Sequence, residues 1–306
     1  MHTRTTLAAI AIAALTIAPA LAQDPHAGHA VPQEHAGHTM PAAQTPAPGV
    51  RDPKLPPDND AAKDQLAKSP RHSEWVDIKM PGGPAINSFV IYPERSTKAP
   101  VVIVVHDIGG MSDWARAIGD QLAKEGFIAI VPDLLSGKGQ NGGGTSSLEG
   151  QAIGQAIRTL TADDLKIRLD AVMTHGKTLP ASNGKTGTIG FCWGGGTVFT
   201  YALNQPLVNA TVSYYGPMPA DPVAYEKAKT PILGLYGGND ARVNANIPVA
   251  EAELKKHGAS YGPNVFEGAG HGFLRNQAGS EGANLKATAQ AWPKTLGFLR
   301  MYTDGK

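Results

Sequence analysis

The chain contains one cysteine, and its neighbours set the chemistry open to it. Cys192 lies in Gly190-Phe191-Cys192-Trp193-Gly194-Gly195, after a strand-like stretch at 186–190 and before a helical pattern at 195–203. A strand, a sharp turn and a helix with glycine on either side of the turn residue form the nucleophile-elbow pattern, here with a thiol where a hydroxyl is common. The glycines are needed because side chains at 190 and 194 would collide with the neighbouring strand and helix. A thiol so placed sits at a helix N-terminus, where the dipole and free amides favour the thiolate. A lone cysteine is more often a small buried hydrophobe, but the flanking glycines argue against that here. Gly258-Ala259-Ser260-Tyr261-Gly262 also spells G-x-S-x-G. It follows a helical pattern, and Pro263 bars an ordinary helix after it. Ser260 is therefore expected in a turn.

A thiol nucleophile needs a base, and the base needs a group to orient it. In α/β-hydrolases these follow in the order nucleophile, acid, histidine. Of the histidines beyond Cys192, His257 ends a charged helical stretch and suits a helix C-terminus. His271, in Gly268-Ala269-Gly270-His271-Gly272-Phe273, sits in a flexible loop after a strand and is the expected base. For the acid, Asp240 follows the strand-like 232–236 and the turn Gly237-Gly238-Asn239, at the strand end where open α/β sheets place their sites. Asp221 precedes a helical pattern and reads as its N-cap. The oxyanion donors should be backbone amides. Trp193 supplies one, and the loop His106-Asp107-Ile108-Gly109-Gly110 should supply the other through Ile108. No cofactor is required.

The elements that would carry these groups alternate. Val101 to Val105 is a continuous β-branched run, the mark of a strand buried on both faces. Residues 114–125 have helical spacing and stop at Gly126, and 127–131 is the next strand. A Gly-rich loop at 137–144 leads into one long helical stretch from about 148 to 175. Further strands are expected at 208–214, 231–236 and 263–266, and helices near 247–257 and 284–302. Residues 74–92 read as an antiparallel hairpin leading in. Strand and helix in turn indicate one α/β domain over 70–306, with a mostly parallel central sheet flanked by helices.

The ends tell a different story. Arg4, the apolar stretch Leu7 to Ile17 and Ala20-Leu21-Ala22 form a signal-peptide pattern over residues 1–22, giving a mature start at Gln23 and export to the periplasm or beyond. The apolar run falls short of the ~20 residues of a membrane span, so no membrane association is expected after cleavage. Residues 23–69, rich in Pro, Ala and His, are expected to be a disordered leader. Within it His26, His29, His35 and His38 recur at a nine-residue repeat that could take Cu(II), Ni(II) or Zn(II), though incidental histidines in a solubilising linker are the plainer reading. A formal charge of +1 gives no electrostatic case for nucleic acid as a partner, and one cysteine excludes an intrachain disulfide or a Cys-cluster metal site.

Together these segments resemble the dienelactone hydrolase family of α/β-hydrolases, from about Trp75 to the C-terminus. The resemblance rests on the Cys192 elbow, on Tyr236-Gly237-Gly238-Asn239-Asp240 and on the His271 loop, in that order. It implies a Cys-His-Asp hydrolase that opens small-molecule enol-lactones or related esters through a thioester. It also implies an acidic side chain that gates the resting thiol, a position occupied here by Asp107, one methylene shorter than the family's Glu. Arg275 matches one of the family's two substrate-carboxylate arginines, and Lys138 falls near the other. A reading from another class stays open: a non-catalytic periplasmic binding or metal-handling protein that uses the His-rich leader on a hydrolase scaffold.

Overall fold

The computed structural model describes Asp52 to Asp304. The signal-like stretch and the four leader histidines, with the metal site they could form, lie outside the described residues. The strands are β1 (Ser73–Ile78), β2 (Ile86–Ile91), β3 (Ala99–Val105), β4 (Ile128–Pro132), β5 (Ser182–Phe191), β6 (Ala210–Tyr214), β7 (Ile232–Gly237) and β8 (Tyr261–Phe266). The helices are α1 (Ala62–Ala67), α2 (Asp113–Lys124), α3 (Gln151–Arg158), α4 (Ala162–Thr178), α5 (Trp193–Asn204), α6 (Ala241–Asn244), α7 (Ile247–Lys256) and α8 (Ala283–Thr303).

All eight strands join one sheet in the order β1-β2-β4-β3-β5-β6-β7-β8. β1 and β2 form an antiparallel hairpin and β2 pairs antiparallel with β4, whereas every pair from β4 to β8 is parallel. β3 shows why its sequence is apolar throughout. Val102 and Val104 pack into a core with Trp114 and Ile118 of α2 and Leu299 of α8. Val101, Ile103 and Val105 face the opposite core, with Leu169 and Val172 of α4 and Val198 of α5. Two buried faces remove the period-two signal that a half-exposed strand would show. The result is the α/β-hydrolase architecture expected from the sequence.

Two expectations need correction. The long helix over 148–175 is two helices, α3 and α4. Thr161 is the N-cap of α4, its hydroxyl accepting from the Asp164 amide at 3.1 Å while Asp164 answers the Thr161 amide at 3.1 Å. This capping box starts a new helix where the apolar pattern alone continues. The second correction concerns the leader, which was expected to lack structure through residue 69. Residues 52–69 pack on the domain, with Pro56 and Pro57 buried and α1 lying against α2. Proline lacks a donor but keeps its carbonyl, and the carbonyls do the anchoring. Trp114 Nε1 donates to Pro57 O at 2.9 Å, Gln277 Nε2 to Pro56 O at 3.0 Å and Lys124 Nζ to Pro53 O at 2.7 Å.

The chain is also fastened just beyond this segment. Arg71 grips Asp120 of α2 with Nε and Nη2 at 2.7 and 2.6 Å, and Ser69 Oγ donates to the same carboxylate at 2.5 Å. Both charged side chains are almost fully buried. Removing one partner of such a pair strands the other's charge. Arg71→Met should therefore lower the unfolding free energy by about 3 kcal/mol, read from chemical denaturation. A change below about 0.5 kcal/mol, the size of a surface pair, would show that the pair does not fasten the segment.

Candidate active site

The bend at Cys192 has φ +54°, a region that non-glycine residues rarely occupy. Its surroundings hold it there. Cys192 N donates to Tyr214 O of β6 at 3.0 Å, and Cys192 O accepts from Gly196 N at 3.1 Å. A Cβ at Gly190 would strike the Gly194 carbonyl, and one at Gly194 would strike the carbonyls of Val105 and His106. The first turn of α5 thus presses against the ends of β3 and β5, and only glycine leaves room. Cys192 is partly exposed, at the helix N-terminus.

Asp240 and His271 arrive from the next strands along the sheet. Asp240 follows β7 at the start of α6 and is buried. His271 lies in the loop between β8 and α8. Asn239 Nδ2 ties the two loops together by donating to Gly268 O at 3.0 Å. Asn284 of α8 accepts from Gly270 N at 2.9 Å and donates to Asn276 O at 2.7 Å, so it fixes the histidine loop on both sides. His271 Nδ1 is 2.5 Å from Asp240 Oδ2, which leaves Nε2 for the thiol. The imidazole holds its proton up to about pH 9, above its ordinary 6.5. The largest cause is the neighbouring Cys192 sulfur. Burial opposes it, and the Asp240 carboxylate adds to it.

Cys192 and His271 share a cavity of about 470 Å³ with Tyr215, Asp107, Ile108 and Arg275. The amides of Ile108 and Trp193 have no hydrogen-bond partner among the described residues. The Trp193 ring turns away to stack on His106, with centroids 5.4 Å apart.

The polar periphery differs from expectation. Asp107 Oδ1 accepts from Gly109 N at 2.8 Å and Oδ2 from Arg275 Nη1 at 2.5 Å. Both oxygens are engaged, and no hydrogen bond joins Asp107 to the thiol among the described residues. Arg275 is therefore not a free cation. Its Nε and Nη2 donate to Asn59 Oδ1 at 3.0 and 2.9 Å, and its guanidinium lies 5.7 Å over Trp114. Lys138 does not line the cavity. Asp133 accepts from Leu135 N, Thr145 N and Thr145 Oγ1, folding the Gly-rich loop back on itself, and Lys138 lies close enough to Asp164 to act on its carboxylate. Among the alternatives, Ser260 is exposed and opens the edge strand β8, with its carbonyl accepting from Ile232 N. Asp221 caps a short turn through Val223 N, and His257 ends α7 beside Glu253.

The sequence pattern points neither to Tyr215 and Asn284 nor to the stretch Asp58-Asn59-Asp60, all of which belong to the site. Tyr215 follows β6 with φ +40°, and its hydroxyl is buried in the cavity wall without a partner. Its place at a strand's C-terminal end was the available signal. Asn284 is an ordinary polar residue in a helical pattern, and Asn59 lies in a Pro-rich segment. Neither carries a local mark.

A parallel sheet with a cysteine elbow, a following acid and a following histidine defines the α/β-hydrolase class. A family model described as the dienelactone hydrolase family matches residues 86–303, and the chain belongs to that family. A relative in Methylorubrum extorquens, provisionally named a carboxymethylenebutenolidase, is 30% identical over 244 residues, covering 74% of this chain and 80% of the relative. A Bradyrhizobium relative, provisionally named a 2-oxo-3-(5-oxofuran-2-ylidene)propanoate lactonase, is 29% identical, covering 76% of this chain and 96% of its own. Among solved structures, dienelactone hydrolase from Anabaena variabilis is similar with a TM-score of 0.57 at 20% identity, covering 76% of this chain and 99% of that one.

The histidine's titration can be checked directly. Because its folded value is raised, the imidazolium stabilises the fold fully below about pH 6.5, and that share fades as pH rises through about 9. The His271 ring resonances should titrate with a midpoint near 9 by NMR, and Asp240→Asn should move the midpoint down. A wild-type midpoint near 6.5 would mean that the thiol and carboxylate do not act on the ring.

Proposed function

We propose that the protein hydrolyses carboxylic esters or lactones through a thioester on Cys192. The observation that carries this reading is Cys192 and His271 at one cavity, with the histidine anchored at 2.5 Å on the buried Asp240 behind it. Paired with a protonated His271, the Cys192 sulfur attacks the substrate carbonyl carbon. The carbonyl oxygen becomes an oxyanion that the Ile108 and Trp193 amides receive. The acyl C–O bond then breaks, and His271 Nε2–H protonates the departing alkoxide. A water molecule, giving its proton to the now neutral His271, attacks the thioester. The C–S bond breaks and the acid leaves. Asp240 keeps Nδ1 occupied throughout, so that Nε2 always faces the reaction. Membership of the dienelactone hydrolase family and the Bradyrhizobium relative's lactonase name support this chemistry.

We further propose that the chain is exported, with the signal peptide cleaved after Ala22, on the pattern of Arg4, Leu7 to Ile17 and Ala20-Leu21-Ala22. In a bacterial host, periplasmic protein should then begin at Gln23 by N-terminal sequencing. Protein confined to the cytoplasm with Met1 in place would overturn export.

For the chemistry, Cys192→Ala should lower 4-nitrophenyl ester hydrolysis at least about 1000-fold while leaving the circular dichroism spectrum unchanged. Wild-type protein quenched in acid during turnover should gain the acyl mass on the peptide carrying Cys192. Equal turnover by both proteins would remove the thiol from the mechanism.

A further inference from the structure

The segment 52–60 lies ahead of the stretch that matches the family model, yet it forms one wall of the cavity. Asp58, Asn59 and Asp60 all line it. The segment is held from both sides. Pro56 and Pro57 offer their carbonyls to Gln277 and Trp114, and Asn59 N donates to Arg275 O at 2.9 Å. Its Asn59 side chain occupies two of the three guanidinium nitrogens of Arg275, and Asp107 occupies the third.

This arrangement decides the charge a substrate meets. Arg275 is the one Lys or Arg side chain lining the cavity among the described residues, and it faces three lining carboxylates, Asp58, Asp60 and Asp107. Asp107 balances Arg275, and a Cys192–His271 ion pair is neutral overall. Asp58 and Asp60 remain uncompensated. Among the described residues, Asp58 spends one oxygen on Ala61 N, and Asp60 accepts only from Asn59 Nδ2 at 3.3 Å. Facing them, the Tyr215 hydroxyl is almost completely buried, set in the cavity wall and without a hydrogen-bond partner among the described residues. Burial holds it in its neutral form, so it offers a hydrogen bond without a charge. A free carboxylate on the substrate would meet the repulsion of Asp58 and Asp60 and a guanidinium whose charge Asp107 already balances and whose three nitrogens are each engaged, whereas a neutral ester has no charge to be repelled and can accept a hydrogen bond from the Tyr215 hydroxyl.

We propose that residues 58–60 are a specificity element that selects neutral or cationic esters and lactones against carboxylate-bearing ones. The proposal rests on the ester-hydrolase reading above and names the substrate class for it. Asp58 and Asp60 act by repulsion at the cavity rim, and Asn59 acts by holding Arg275 out of use.

Three acyl-matched 4-nitrophenyl esters test this: the butyrate, the anionic hemisuccinate and the cationic 4-(trimethylammonio)butyrate. Wild-type kcat/KM should be at least about tenfold lower for the hemisuccinate than for the butyrate, and the cationic ester should match or exceed the butyrate. The gap should narrow in 1 M NaCl, which shortens the screening length to about 3 Å. The Asp58→Asn/Asp60→Asn variant should raise kcat/KM for the hemisuccinate relative to the butyrate about tenfold. Adding Asn59→Ala should raise that ratio further by freeing Arg275. A wild type that prefers the hemisuccinate would overturn the proposal, as would a ratio that neither salt nor the variants move. Both outcomes are distinct from failure of the thioester mechanism, which would appear as Cys192→Ala retaining turnover on all three esters. The salt series uses the wild-type chain alone, so poor folding of a variant would not shield the proposal.

Discussion

Everything in the candidate site depends on a backbone bend that costs energy. A non-glycine residue at φ +54° carries strain of roughly 1–3 kcal/mol, and Cys192 endures it because its neighbours leave no alternative. Its amide is claimed by Tyr214, its carbonyl by Gly196, and the turn is wedged among the ends of β3, β5 and β6. Four glycines make the wedge possible. Beyond Gly190 and Gly194, a Cβ at Gly195 would press on Tyr214 O, and one at Gly216 would strike Gly195. The packed sheet supplies the force that holds the bend, and the bend lifts the sulfur clear of the sheet at the tip of a helix.

Parallel pairing then does the gathering. In a sheet running β3-β5-β6-β7-β8, the carboxyl ends all emerge on one edge. The loop bearing Ile108 follows β3, Cys192 follows β5, Tyr215 follows β6, Asp240 follows β7 and His271 follows β8. The spacing in sequence is large, but the strands are only about 4.8 Å apart. Fine placement falls to side chains with no chemistry of their own: Asn239 joins the acid loop to the histidine loop, and Asn284 pins the latter to α8. The short contact between Asp240 and His271 is the outcome of those constraints.

The cavity's wall has a second origin. The sheet provides the reacting groups, and a segment ahead of the domain's first strand provides part of the rim. Prolines at 53, 56 and 57 each fix one backbone torsion before the segment docks, which reduces the entropy lost on ordering. Its carbonyls find side-chain donors on α2 and on the loop after β8. Arg275 is thereby shared between the domain and the segment, and the polarity of the mouth follows from both.

Much of this was legible in the amino-acid order, and the division has a physical basis. Local rules sufficed for the elbow, since glycines around a strand-to-helix turn are required by contacts a few residues apart. They sufficed for β3, whose unbroken apolar run reports two buried faces, and for the order of thiol, acid and histidine. They also separated Cys192 from Ser260, because only one of them had a strand before and a helix behind. Local rules failed where the deciding partner lay far along the chain. The break between α3 and α4 turned on one cap that periodicity does not register. Arg275 looked available because Asn59 and Asp107 stand 216 and 168 positions away. Residues 52–69 looked structureless because composition reports how much apolar surface a segment owns, not which surface another part of the fold holds ready for it. The sequence determined which reactive side chains the chain carries and the strand ends that bear them. Which charges face the substrate was decided only by the tertiary structure, since a charge is neutralised by whatever folding brings within a few ångströms of it.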